Sequence, residues 1–298
     1  MKLQSDSITE VPKLCAPNLE TLNLSSCGEL VTVHELCAPN LVQLNLSCCY
    51  KLVTVHESVG SLDRLKFWHL GCCVSLQNLP NNLRLKSLEY FNLFGCSKLE
   101  KFPNILHQEM KRLKRLYLAE SGIREVPSSI GYLTQLTGLG LYGCHNLRDL
   151  PDSIYKLQML EHFFFDSAKL RPPCTNHMLG FLRLRELLFG GCGNKLEFLM
   201  KPNYFPVLRR LDLSGSDIVS IPESLNRLTM LENLYIHNCQ QLRQILGLPQ
   251  SIKILLANHC WSLDAQSSSR LLNQVSLFQV IIKNKKIFFF FFKLSFLI

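Results

Sequence analysis

Neither a Cys-x-x-Cys pair nor closely spaced histidines occur among the thirteen cysteines and nine histidines of this 298-residue sequence, so the usual ligand spacing of a zinc site is missing. Gly-x-x-x-x-Gly-Lys-Ser/Thr, His-Glu-x-x-His and Gly-x-Ser-x-Gly are also absent. That removes the common phosphate-cradling, metallopeptidase and serine-hydrolase signatures. The apolar stretch from Ile287 to Ile298 is interrupted by Lys293. It falls short of the ~20 residues of a spanning helix, so no membrane contact is expected. The opening Met1-Lys2-Leu3-Gln4-Ser5-Asp6 has no apolar core region of a secretory signal. The expected location is the cytosol or the nucleus.

What is present is a spacing, Leu-x-x-Leu-x-Leu-x-x-Cys. It begins as Leu19-Leu22-Leu24-Cys27 and Leu41-Leu44-Leu46-Cys49, recurs as Leu113-Leu116-Leu118-Ser121, and closes as Ile252-Leu255-Ala257-Cys260. Eleven units run in phase, 21–25 residues apart. A fixed period of this length signals a solenoid, and this pattern is the leucine-rich repeat. Within each unit the Leu-x-Leu half is a short strand with alternate residues inward. The other half often reads Pro-Ser-x-Ile-x-x-Leu, as in Pro127-Ser128-Ser129-Ile130 with Leu133. Pro closes the extended segment, and Ser or Asp is expected to cap a short helical turn. The fold class is therefore α/β: a horseshoe with a parallel concave sheet and convex short helices, 3-10 turns and loops.

The repeats assign residues 1–265 to one domain, with a partial repeat at 1–18 and eleven repeats from 19. Residues 266–298 form a non-repeat tail ending in the run Phe288–Phe292. Met1 falls inside a repeat, since Leu3, Asp6, Ile8 and Val11 match Leu118, Ser121, Ile123 and Val126 in spacing. A complete solenoid needs a polar cap at each end, so a truncated parent is expected. The segments Cys15–Glu35 and Cys37–Glu57 are near copies, the mark of a tandem duplication.

Eight cysteines (27, 49, 73, 96, 144, 192, 239 and 260) fill one slot of successive repeats, where Ser121, Ser216 and Ala168 also stand. A slot shared by Cys, Ser and Ala asks for a small residue rather than a disulfide. Its weak S–H donor can point at carbonyls of the neighbouring turn. Free buried thiols suit a reducing compartment. The net charge is +9, yet residues 1–60 hold three Lys against six Asp or Glu. A basic stripe can bind nucleic acid, but the solvated face of a long solenoid is the plainer reading, and nucleic acid is not expected.

Gly138-Leu139-Gly140-Leu141-Tyr142-Gly143 matches Gly-x-Gly-x-x-Gly by letter. Its leucines are core positions of a repeat, so the glycines belong on a strand rather than in a phosphate loop. The sequons at Asn23 and Asn45 also fall in strands and are expected to stay unmodified. His34 and His56 precede Glu in duplicated copies of one turn, which explains them without catalysis. No catalytic, cofactor-binding or metal-binding residue is assigned. The outward strand positions carry Phe67, His69, Tyr90, Phe94, Arg115, Tyr117, Tyr142, His162, Phe164, Arg210, Asp212, Tyr235 and His237. Outward aromatics and arginines are common protein-binding anchors, so these residues form the candidate partner face.

The combination Leu-x-x-Leu-x-Leu-x-x-Cys-x-x-Leu-x-x-Leu-Pro, alternating with Ser-x-Ile-x-x-Val-Pro, resembles a known family. Its pointers are Val55-His56-Glu57-Ser58-Val59-Gly60, Leu93-Phe94-Gly95-Cys96-Ser97-Lys98-Leu99 and Pro127-Ser128-Ser129-Ile130. They resemble the repeat domain of plant intracellular nucleotide-binding leucine-rich-repeat disease-resistance receptors, best the subgroup with a Toll/interleukin-1-receptor-like domain. The resemblance implies a region that senses a pathogen effector and holds a nucleotide switch inactive. Its implied partners are a pathogen effector, a guarded host protein or the receptor's own nucleotide-binding domain. No nucleotide-binding residue carries over, because that domain is not in this sequence. A cytosolic scaffold or substrate adaptor unrelated to immunity is the alternative.

Overall fold

A computed structural model describes residues 7–106, 109–166, 180–190, 204–267 and 279–281. Leu3, Ala168, Cys192, the Arg171-Pro172-Pro173 break and Phe288–Phe292 lie outside the described residues. The main sheet has twelve parallel strands: Thr21–Asn23 (β1), Gln43–Asn45 (β2), Phe67–His69 (β3), Tyr90–Asn92 (β4), Arg115–Tyr117 (β5), Gly138–Gly140 (β6), His162–Asp166 (β7), Glu186–Gly190 (β8), Arg210–Asp212 (β9), Asn233–Tyr235 (β10), Ile254–Leu256 (β11) and Gln279–Ile281 (β12). Their order in the sheet is their order in the chain. Each strand pairs with the next at constant register, so Leu44, Trp68, Phe91, Leu116, Leu139 and Phe163 form one continuous row. The parallel-sheet solenoid read from the repeats is the observed fold.

The inward row stands against one unbroken core that runs from Val11 to Cys260. Period-2 alternation explains it: the middle residue of each three-residue strand points in, and the flanking two point out. Each fully buried Leu stabilises by about 1.5–3 kcal/mol. Where aromatics replace leucine they stack on one another, as Trp68 does on Phe91 at 4.6 Å. Phe163 lies 4.3 Å from Phe165, and Phe165 meets Phe189 edge-on at 5.4 Å.

The slot cysteines act as expected. The Cys49 thiol donates to the Leu24 carbonyl of the preceding repeat at 3.1 Å, and Cys73, Cys96 and Cys144 reach Leu46, Leu70 and Leu118 at 3.0–3.2 Å. Among the described residues no two cysteines form a disulfide. The residue just before the slot adopts a left-handed conformation in repeat after repeat: Ser26, Cys48, Cys72, Gly95, Glu120, Gly143, Gly215, Asn238 and His259. Its N–H donates to the following repeat, as Cys48 N does to the Gly71 carbonyl at 2.8 Å and Glu120 N to that of Tyr142 at 2.8 Å.

Two features differ from the sequence reading. The turns at Glu57–Ser61, Ser128–Tyr132, Asp152–Lys156 and Glu223–Arg227 are 3-10 helices, but Ser and Asp do not cap the last three. Pro127, Pro151 and Pro222 hold the cap position themselves and offer no side-chain acceptor. In two turns a serine instead serves the preceding repeat: Ser129 Oγ accepts from Ile105 N, and Ser58 Oγ from Leu36 N, both at 2.9 Å, whereas Ser153 Oγ is buried with no hydrogen-bond partner among the described residues. At the first helix His56 is the cap, its Nδ1 accepting from Ser58 N at 3.1 Å. The second difference is β12. It lies within residues 266–298, read as a non-repeat tail, yet pairs Val280 with Leu255. Leu277, Val280 and Ile282 keep the three-then-two spacing of the repeats after a gap of polar sequence.

Candidate functional site

The solvent face of the main sheet carries two rows of side chains, one on each side of the inward row. The first row includes Phe67, Tyr90, Arg115, Gly138, His162, Glu186 and Arg210. The second includes His69, Asn92, Tyr117, Gly140, Phe164, Leu188, Asp212 and Tyr235. Phe94, Tyr142 and His237 sit two residues further on, just past the ends of β4, β6 and β10. All thirteen sequence candidates thus occupy the solvent side, although they form separate groups rather than one patch.

The first group is aromatic. His69 and Tyr90 lie 4.9 Å apart between ring centres, and Tyr90 and Tyr117 5.6 Å, so three rings zigzag between the two rows across β3, β4 and β5. Burial among them pushes the Tyr90 phenol up and holds the His69 imidazole below its ordinary value, leaving His69 neutral near pH 7. Beside them β6 has glycine at both outward positions. A Cβ at Gly140 would come within 3.2 Å of Tyr117 Cδ1, and one at Gly138 within 4.0 Å of its hydroxyl, so that side chain runs over the bare strand. The Gly-x-Gly motif therefore makes a floor for a tyrosine, as its place on a strand requires.

The second group lies past the glycines. His162 Nδ1 is 3.2 Å from Glu186 Oε2, and the His162 and Phe164 rings stack at 6.5 Å. The Arg210 guanidinium sits 4.7 Å from the centre of the Tyr235 ring, a cation–π contact. Asp212 is partly committed to the fold: its Oδ1 accepts from Ser214 N at 3.0 Å. Asn23 and Asn45, the sequon residues, close the same turn by accepting from Ser25 N and Ser47 N. His237 Nδ1 likewise accepts from Asn258 N at 3.3 Å.

A charged border that no motif marks runs along the leading edge of the sheet. One residue before the strands, Lys114 pairs with Glu89 at 2.8 Å, and Glu232 receives both Arg209 at 2.9 Å and Lys253 at 3.1 Å. Glu161, Arg183, Arg185 and Arg209 line an open pocket of about 270 Å³ with Leu182, Val207 and Met230. The visible signal was arginine recurring at one position in adjacent repeats, Arg185 and Arg209. Among the described residues no group of three or more His, Cys, Asp or Glu is arranged to hold a metal. None of the described helices is long and apolar enough to cross a membrane.

A family profile described as "Disease resistance protein RPS4B-like, leucine-rich repeats" matches residues 84–277. The chain is 29% identical over 305 residues to TMV resistance protein N of Nicotiana glutinosa, covering 84% of this chain and 24% of that protein. It is 31% identical over 244 residues to Protein SUPPRESSOR OF npr1-1, CONSTITUTIVE 1 of Arabidopsis thaliana, covering 82% and 13%. The chain thus spans a quarter or less of these relatives. Among solved structures, the leucine-rich repeat domain of the type III effector XopL superposes with a TM-score of 0.53 at 18% identity, covering 82% of this chain and 77% of that one. That likeness concerns the fold alone. The profile match extends over most of the repeats, and this chain belongs to the RPS4B-like leucine-rich-repeat family of plant disease resistance proteins.

Proposed function

We propose that this repeat region is a protein-recognition module in plant defence signalling and not a catalyst. It senses a pathogen effector or a guarded host protein, and it makes restraining contacts with a nucleotide-binding domain. The observation that carries the reading is the run His69–Tyr90–Tyr117 on the solvent face. Rings on an uncovered sheet surface contribute little to a core, whereas Tyr and Arg in such places are typical anchors for a partner. The setting proposed with it is the cytosol or the nucleus, in keeping with the family.

Site-specific crosslinking tests the reading. A benzophenone side chain at Tyr117, and separately at Tyr132 on the far side of the core, is irradiated in plant cytosol with and without pathogen challenge. The expected result is a discrete protein adduct at Tyr117 and none at Tyr132. Equal labelling at both positions contradicts a solvent-face recognition site.

A further inference from the structure

Eleven cysteines lie among the described residues, and seven of them are buried in the slot. Burial pushes the Cys49 and Cys96 thiols up to about 12, and the carbonyls of Leu24 and Leu70 hold them. Such thiols are inert towards oxidants. The remaining four, Cys15, Cys37, Cys48 and Cys72, reach the surface and fall into two pairs that each join neighbouring repeats. Cys15 and Cys37 are register partners in the short parallel pair Leu14–Cys15 and Leu36–Cys37. Leu14 N donates to the Glu35 carbonyl at 2.9 Å and Ala16 N to the Cys37 carbonyl at 3.1 Å, which fixes that register.

Paired strands lie about 4.8 Å apart, and in-register residues of a parallel pair present their side chains to the same face. The separation falls inside the ~4.4–6.8 Å Cα range of disulfides. The neighbouring Cys15 side chain, followed by burial, raises the Cys37 thiol to about 11. The Cys37 thiol also lies 3.6 Å from Glu35 Oε1, and Glu35 in turn pairs with Lys13 at 2.7 Å. The competing pair, Cys48 and Cys72, lies in turns and not on paired strands. Both are left-handed turn residues whose N–H groups are bonded to the next repeat, at 2.8 and 2.6 Å.

The geometry points to a modification site: Cys15 and Cys37 close into a disulfide that staples one repeat to its near copy when a low-molecular-weight disulfide oxidant reaches them. Cys15, the more exposed thiol, attacks as its thiolate. It breaks the S–S bond of oxidised glutathione, forms a mixed disulfide and releases one glutathione thiolate, which takes up a proton. Cys37 then loses its proton to water, attacks the Cys15 sulfur and expels the second glutathione. Two protein thiols are oxidised, one glutathione disulfide is reduced, and two electrons have moved.

The test uses the full reduced chain, exposed natively to millimolar oxidised glutathione, alkylated, and cleaved after glutamate without reductant. Cleavage separates 11–20, which holds Cys15, from 36–57, which holds Cys37, Cys48 and Cys49. The expected product is these two peptides joined through Cys15 and Cys37, two hydrogens lighter than their sum. Cys37→Ser should leave glutathione trapped on Cys15, whereas Cys48→Ser should leave the joined peptide intact. Absence of the Cys15–Cys37 link, its replacement by Cys48–Cys72, or crosslinks only between chains overturns the proposal.

Discussion

Cys96 and Ser121 occupy the same slot in adjacent repeats, the thiol against the Leu70 carbonyl at 3.2 Å and the hydroxyl 3.5 Å from the Cys144 sulfur. The slot is selected for a small donor that fits between stacked turns. Cys96→Ala removes the donor and opens a small void, and it should lower unfolding free energy by ~1–2 kcal/mol in chemical denaturation. Cys96→Ser should lose less, since serine already serves this slot next door. The left-handed residue before the slot gives a second comparison. A Cβ at Gly95 would meet nothing nearer than 3.6 Å, so the cost of Gly95→Ala is that of the backbone at φ +71°, ~1 kcal/mol. Glu120 already bears that strain at φ 56°, and Glu120→Gly should be neutral or slightly stabilising in the same assay.

At the scale of the strand and its turn, alternation made most of the fold readable. Leu113, Leu116 and Leu118 must face the core, so their spacing is fixed by physics and visible in letters. The same alternation placed the outward rows and the ten candidates on them, whereas Phe94, Tyr142 and His237, read as strand positions, lie in the turns beyond the strand ends. The left-handed position stayed hidden because Ser, Cys, Glu, Asn, His and Gly all fill it: the constraint is on φ and on an N–H, which every one of these residues has. The 3-10 caps were misread because proline holds the cap position, and at Ser129 the hydroxyl bonds the preceding repeat, a contact between elements rather than within one. Nor could spacing alone show that Tyr117 lies over Gly140 or that Asp212 is drawn into a turn. The Tyr117 contact yields a prediction. Gly140→Ala should displace the Tyr117 ring, seen as a changed tyrosine environment in near-UV circular dichroism, with a stability loss under ~1 kcal/mol because the ring can swing towards solvent. An unchanged tyrosine signal would mean the ring does not lie over β6.

Over the whole molecule each repeat touches its neighbours, so stability is close to a sum of repeat and interface terms. Several ion pairs that bridge repeats are exposed: Lys51 with Glu29, Arg124 with Glu100 and Lys86 with Asp63 all keep roughly half or more of their side-chain surface in water. Such pairs are worth ~0–1 kcal/mol and are screened by salt. Raising sodium chloride from 50 to 500 mM should therefore move the melting temperature little, while binding through Arg210 and the edge arginines weakens. A large salt-dependent loss of stability would assign the charged border to the fold. The central claim is that the solvent face serves recognition and the inward row serves folding, and two adjacent residues of β5 separate the roles. The decisive measurement is the affinity of Tyr90→Ala/Tyr117→Ala for the partner identified by crosslinking, alongside unfolding of that variant and of Leu116→Ala. The expected result is a tenfold or greater loss of affinity with unfolding nearly unchanged, against a loss of ~2–5 kcal/mol for Leu116→Ala. Unchanged affinity in the double variant, or destabilisation equal to that of Leu116→Ala, would contradict the account.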